Sequence, residues 1–157
     1  MIVTQNNVET DDNEYITELL RKVKLKITAP RIKVIQAMLS MKQKHATAAD
    51  IHNILFKPNE SLSLGTIYRV LNLLSEKKIV NRHRLGTDSY FYEFNRDSHH
   101  DHIVCLECGK IVEFKDTVIE ERQNEIANKH GMKLRKHTML LIGKCQDQSA
   151  CEKGENI

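Results

Sequence analysis

The run Cys105-Leu106-Glu107-Cys108-Gly109, answered further on by Cys145 and Cys151, constrains this chain more than any other feature. Two thiolates two residues apart can clamp one ion from a tight knuckle, and a second pair can complete the tetrahedral sulfur cage that zinc prefers. The fold must then carry Cys145 and Cys151 back to the knuckle after a helix and a strand. Five residues separate Cys145 from Cys151, so a longer loop has to fold back there. A disulfide is disfavoured by compartment. Met1 to Asp12 is polar and acidic, without the basic start and apolar run of a secretory signal, and a reducing cytoplasm is expected. A redox CxxC is disfavoured because no helix opens directly after Cys105.

His99-His100-Asp101-His102 stands just upstream. In an extended segment successive side chains point to opposite faces, so His99 and Asp101 face one way while His100 and His102 face the other. One short strand can thus feed two metal sites. An exposed polar linker is the alternative, and the adjacent CxxC weighs against it.

The charge distribution separates two modules. The net charge of +3 over 157 residues is made of a segment 1–20 with five acids and no Lys or Arg, a segment 21–94 at +9, and a segment 95–157 at −1. A basic section beside a neutral one suggests that the first faces a polyanion. With only six Gly and two Pro there is little room for long linkers, and no window approaches the ~18 apolar residues of a membrane helix.

Within residues 1–94 the periodicity is helical. Tyr15, Ile16, Leu19, Leu20 and Val23 form one stripe, and Thr28 caps a second helix carrying Pro30, Ile32, Val34, Ile35, Met38 and Leu39. After a polar turn, Thr47 with Asp50 three residues on opens a third helix with Ile51, Ile54 and Leu55, followed by Pro58. Ser63 opens the fourth, with Leu64, Ile67, Val70, Leu71 and Leu74 on one side and Gly65, Tyr68, Arg69 and Asn72 on the other. Ile79–Arg84 and Tyr90–Phe94 then flank Gly86-Thr87-Asp88-Ser89 as two strands and a turn. Helices followed by a β-hairpin describe a winged helix-turn-helix; the β-prone Tyr90-Phe91-Tyr92 disfavours a continuing helix bundle. Residues 95–157 read as a small α/β module, with strands at His102–Cys105, Lys110–Phe114 and Thr138–Lys144 and a helix from Thr117 to about His130 ended by Gly131. The expected class is α+β, with a winged-helix domain over 1–94 and a small metal-binding α/β domain over 95–157, to which the resemblance described next assigns dimerisation. Tyr68 and Arg69, with Asn72, are the natural groups to meet DNA, supported by Lys26, Arg31, Lys77, Lys78, Arg82 and Arg84.

From about Leu25 to Cys145 the chain resembles the ferric uptake regulator (Fur) family of metal-dependent repressors. The matching segments are Leu25-Lys26-Ile27-Thr28-Ala29-Pro30-Arg31, Gly65-Thr66-Ile67-Tyr68-Arg69-Val70-Leu71-Asn72, His99-His100-Asp101-His102, Cys105-Leu106-Glu107-Cys108-Gly109-Lys110, Glu120-Glu121-Arg122-Gln123 and Lys129-His130-Gly131. The resemblance implies a structural zinc on Cys105, Cys108, Cys145 and Cys151, the last departing from a tighter family spacing. It implies a regulatory site on His45, Glu93, His100 and His102, an additional site on His99, Asp101, Glu120 and His137, and a further carboxylate at Glu113 that either could use. For DNA it implies Lys26, Arg31, Thr66, Tyr68, Arg69 and Asn72.

The resemblance further implies a cytoplasmic homodimer, or a higher oligomer, that represses iron-uptake genes at a double-stranded operator when Fe2+ fixes the angle between modules. No membrane and no small organic substrate are implied. Mn2+, Co2+ and Zn2+ suit the same nitrogen and oxygen ligands. Glutamate at both 93 and 113 looks like the iron branch, with zinc, manganese, nickel or peroxide sensing as alternatives. A zinc metalloenzyme, the reading from another class, leaves the basic half unexplained and finds no unassigned acid beside the metal, so no enzyme is expected.

Overall fold

The computed structural model describes residues 6–42, 44–57, 61–85, 89–95 and 98–146, without the side chains of residues 6–11. Pro58, Gly86-Thr87-Asp88 of the hairpin turn, and Cys151 lie outside the described residues. The chain divides at residues 95/96 into two compact units.

The first unit contains α1 (Asn6–Lys22), α2 (Ala29–Ser40), β1 (His45–Thr47), α3 (Ala48–Leu55), α4 (Leu64–Glu76), β2 (Val80–Leu85) and β3 (Ser89–Phe94). Helix α1 starts well before the apolar stripe that announces it and ends with Arg21 and Lys22 in its last turn, where the helix dipole favours cations. Thr28 occupies the N-cap of α2, but its side chain makes no capping bond; Pro30, with its fixed φ, sits in the first turn instead. Thr47 and Asp50 form a complete capping box: Thr47 Oγ1 accepts from the Asp50 N–H at 3.1 Å, and Asp50 Oδ2 accepts from the Thr47 N–H at 2.8 Å. An eight-residue helix has few other local restraints. Thr47→Ala is therefore expected to cost about 1 kcal/mol of stability. Chemical denaturation measures it, and an unchanged midpoint would contradict the cap's role.

Ile16, Leu20, Val34, Ile35, Ile51, Ile67, Leu71 and Leu74 converge in one core with Val80 and Tyr92 of the hairpin. The expected stripe of α4 is buried apart from Leu64 at the helix's first residue, and Leu39 of α2 is exposed as well. The sheet order is β1-β3-β2, all antiparallel, with His45 opposite Glu93 and His83 opposite Phe91. Strand β1 replaces the polar turn read from the sequence. Three residues are too few for an alternating pattern, and the strand exists through its pairing with β3.

The second unit contains β4 (Asp101–Cys105), β5 (Ile111–Phe114), α5 (Thr117–Lys129) and β6 (Leu140–Gly143). Strand β4 is central, antiparallel to β5 and parallel to β6. Asp116 caps α5 by accepting from the Ile119 N–H, and Gly131, at φ +71°, ends it with the Met132 N–H returning to the Ala127 carbonyl at 2.9 Å. Among its described residues only Val104, Cys105, Asp101 and His102 are buried, and α5 buries none. Ile103, Val112 and Leu141 lie abreast across the three strands with their side chains exposed. So small a core needs further support from metal or from a second chain. No helix among the described residues is long and apolar enough to cross a membrane.

Candidate metal centres and nucleic-acid interface

Cys105 ends β4 and the chain turns at once. The Gly109 N–H donates to the Cys105 carbonyl and the Cys105 N–H to the Lys110 carbonyl, both at 2.9 Å, and Gly109 closes the knuckle at φ +74°, a conformation that suits a residue without Cβ. The Leu106 N–H donates to the Gly143 carbonyl at 3.0 Å, which ties the end of β6 to the knuckle and delivers Cys145. Cys108 and Cys145 sulfurs stand 3.8 Å apart, and the ligand atoms of Cys105, Cys108 and Cys145 all lie within 4.8 Å of one another. Three convergent sulfurs fit a zinc ion far better than a disulfide pair; the position of Cys151 lies outside the described residues.

The Cys108 N–H directed at the Cys105 sulfur lowers that thiol from 9.0 to about 6, with burial opposing and the Cys145 and Glu107 N–H groups assisting. A thiol so lowered favours its ionised form in the fold. Its contribution to stability is complete above the ordinary value and is lost as pH falls through about 6.

A second cluster forms entirely within the same unit. His99 Nε2 and His137 Nε2 approach to 2.6 Å, with Asp101 Oδ1 3.6 Å from the first and Oδ2 3.4 Å from the second. Buried Asp101 is held by the Met139 N–H at 3.1 Å, just before β6. Two imidazole nitrogens and a carboxylate converging on one point are the donor set of a borderline divalent metal. Glu120, expected in this set, lies in the first turn of α5 and is not among the three gathered residues. Its Oε1 is buried without a hydrogen-bond partner among the described residues, so its carboxylate is still to be satisfied.

The four residues of the expected regulatory site divide between the units. In the first, the β1–β3 register sets His45 Nε2 3.3 Å from Glu93 Oε2, both side chains buried. In the second, the His100 and His102 rings stand 5.0 Å apart, edge to face. Strand pairing sets Glu113 opposite His102, on the sheet face away from Asp101. His83, which the sequence reading passed over, donates from Nε2 to Glu93 Oε1 at 3.0 Å. The alternation of Asn81 and His83 with Arg82 and Arg84 is the signal that places it on the face of β2 opposite the two arginines.

Of the candidate DNA contacts, Tyr68, Arg69 and Asn72 are exposed along α4, and Lys26 is exposed ahead of α2. Arg31 folds its guanidinium onto the Lys26 carbonyl. The Thr66 N–H donates to the N-cap Ser63 Oγ, so Thr66 sits at the start of α4. Asn72 accepts from Arg82 Nη1 at 3.1 Å, and the same Arg82 lies 4.8 Å over the Tyr90 ring. That contact links the polar face of α4 to the hairpin.

Residues 22–142 match the ferric uptake regulator family. The ferric uptake regulation protein of Haemophilus ducreyi is 42% identical over 142 residues, 89% of this chain and 95% of that protein. The crystal structure of the Vibrio cholerae ferric uptake regulator, 39% identical, superposes with a TM-score of 0.76 over 82% of this chain and 98% of its own. The Helicobacter pylori ferric uptake regulator, whose structure reveals three functional metal binding sites, is 29% identical with a TM-score of 0.72, over 98% of this chain and 99% of its own. With helices α2 to α4, the hairpin and every described ligand residue but Cys145 inside the matched residues, the chain belongs to the ferric uptake regulator family.

Proposed function

We propose that this protein is a metal-responsive transcriptional repressor, with Fe2+ as the sensed ion and iron-uptake genes as its targets. The observation that carries the reading is that one family match, over residues 22–142, runs through both the exposed Tyr68–Arg69–Asn72 face of a basic winged helix and all the proposed metal ligands except Cys145 and Cys151. Cys105, Cys108 and Cys145 hold a structural zinc, with Cys151 as the fourth ligand. His99, Asp101 and His137, with Glu120, hold an additional ion. His45 and Glu93 from one unit and His100 and His102 from the other hold the regulatory ion, with Glu113 beside His102. When bound there, the ion supplies only charge and directional coordination. His45 and Glu93, fixed by strand pairing, present one half of the ligand set, and His100 and His102 present the other. Joining the halves selects one arrangement of the units.

A homodimer makes that arrangement readable. The exposed Ile103–Val112–Leu141 row, and the exposed Val118 and Ile126 on a helix without a buried residue, support a second copy as the cover for this unit. In a symmetric pair the unit arrangement sets the separation of two α4 helices, which must meet successive major-groove faces of double-stranded DNA. The cytoplasm is where such a regulator meets its operator.

Operator titrations of the zinc-loaded protein, with and without Fe2+ under anaerobic conditions, test the proposal. Fe2+ is expected to tighten specific binding. Arg69→Ala is expected to weaken it by ~1–3 kcal/mol if the guanidinium reads a base, or to reduce the salt slope if it holds a phosphate. Equal affinity with and without Fe2+ would overturn the reading.

A further inference from the structure

One face of the first unit's sheet carries an ordered row that the proposed ligand set does not use in full. Cross-strand partners share a face, and residues two apart on a strand share it too. The register His45↔Glu93↔Asn81 and Thr47↔Phe91↔His83 therefore puts Asn81, His83, Phe91, Glu93 and His45 on the same side. The His83 ring stacks on Phe91 at 4.8 Å between centroids and 14° between planes, while His45 meets the same ring edge-on at 5.5 Å. Phe91, wholly buried, thus separates the two histidines and holds each at a fixed distance from Glu93. A carboxylate accepts only, so the 3.0 Å contact requires His83 Nε2 to carry the proton and donate to Glu93 Oε1. Asn81 Nδ2 approaches the same oxygen at 3.4 Å, and Oε2 is the oxygen turned to His45.

We propose that His83 is a positioning residue for the His45–Glu93 half-site: it pins Glu93 Oε1 so that Oε2 is presented beside His45 to a divalent cation. This rests on the regulatory-site reading above. A bound ion needs both the orientation and the charge of this carboxylate, and hydrogen bonds behind a ligand fix the first without removing the second. His83 acts through Glu93 and does not itself coordinate.

The test uses the full-length, zinc-loaded protein and anaerobic Co2+ titration, read by d–d absorbance, with Glu93→Ala as reference. His83→Phe keeps the stack on Phe91 and removes the donor; its Co2+ affinity is expected to fall about 10–100-fold at the site that Glu93→Ala abolishes. His83→Gln restores an N–H donor and is expected to recover most of that loss, with an unchanged band shape. Wild-type affinity in His83→Phe would overturn the inference, as would a band shape showing a lost nitrogen ligand in His83→Gln, since His83 would then be a ligand. If Glu93→Ala itself leaves Co2+ binding untouched, the regulatory-site reading fails first, and the inference with it.

Discussion

Cys105→Ser and Cys108→Ser are each expected to strip the structural zinc and, with it, the dimer. The second unit has almost nothing else to hold it together: Val104 and Cys105 are its only buried apolar side chains among the described residues. In small zinc modules the ion supplies ~10–16 kcal/mol of apparent binding free energy, which is folding free energy because the site does not exist in the unfolded chain. Ser offers a weak oxygen donor at a position where the knuckle has already lowered the thiol to about 6 for a sulfur ligand. Loss of this unit's fold takes apart the exposed Ile103–Val112–Leu141 row and with it the surface proposed to meet a second copy. Cys151→Ser is expected to be milder, because five residues separate it from Cys145 and its loop must fold back to reach the ion. Zinc per chain by metal analysis, alongside sedimentation, checks both statements. A stable, zinc-free dimer of Cys108→Ser would remove zinc from the account of this unit.

The chemistry of the second unit was legible because it is local. Cys105 and Cys108 belong to one turn, and the alternation of His99-His100-Asp101-His102 separates two pairs before any tertiary contact is known. The structure gathers His99 with Asp101 and sets the His100 and His102 rings together, as that alternation requires. The helix caps at Thr47 and Ser63 were legible for the same reason, since a cap and its N–H partner lie three residues apart. Strand limits differ by a residue or two, because pairing partners, not local preference, decide where a ladder ends.

What depends on pairing was not legible. His45 looked like a residue between helices, and it is the first residue of a strand that exists only through β3. His83 carries no spacing signal towards Glu93; the two meet because β2 and β3 are in one particular register. Asn72 reads as an open polar residue on α4, yet the hairpin sends Arg82 to it. Glu120 is four residues into the α5 region, and no local pattern fixes where that helix carries its carboxylate relative to His99 and His137.

The switch turns on which ligand set links the units. His99, Asp101 and His137 all belong to the second unit, so an ion held there, as proposed, would support that unit without bridging to the first. His45 and Glu93 belong to the first and His100 and His102 to the second, so an ion held by all four, as proposed, would make DNA affinity depend on metal. His100→Ala or Glu93→Ala is therefore expected to abolish the Fe2+-induced gain in operator affinity while leaving the weak, salt-sensitive binding of the basic first unit. His137→Ala is expected to reduce metal stoichiometry or stability with a smaller loss of response. The direct measurement is operator affinity against free Fe2+ for His100→Ala and His137→Ala, anaerobically and with structural zinc retained. The account predicts a flat curve for His100→Ala and a metal-dependent one for His137→Ala; a flat curve for His137→Ala beside an intact response in His100→Ala would contradict it.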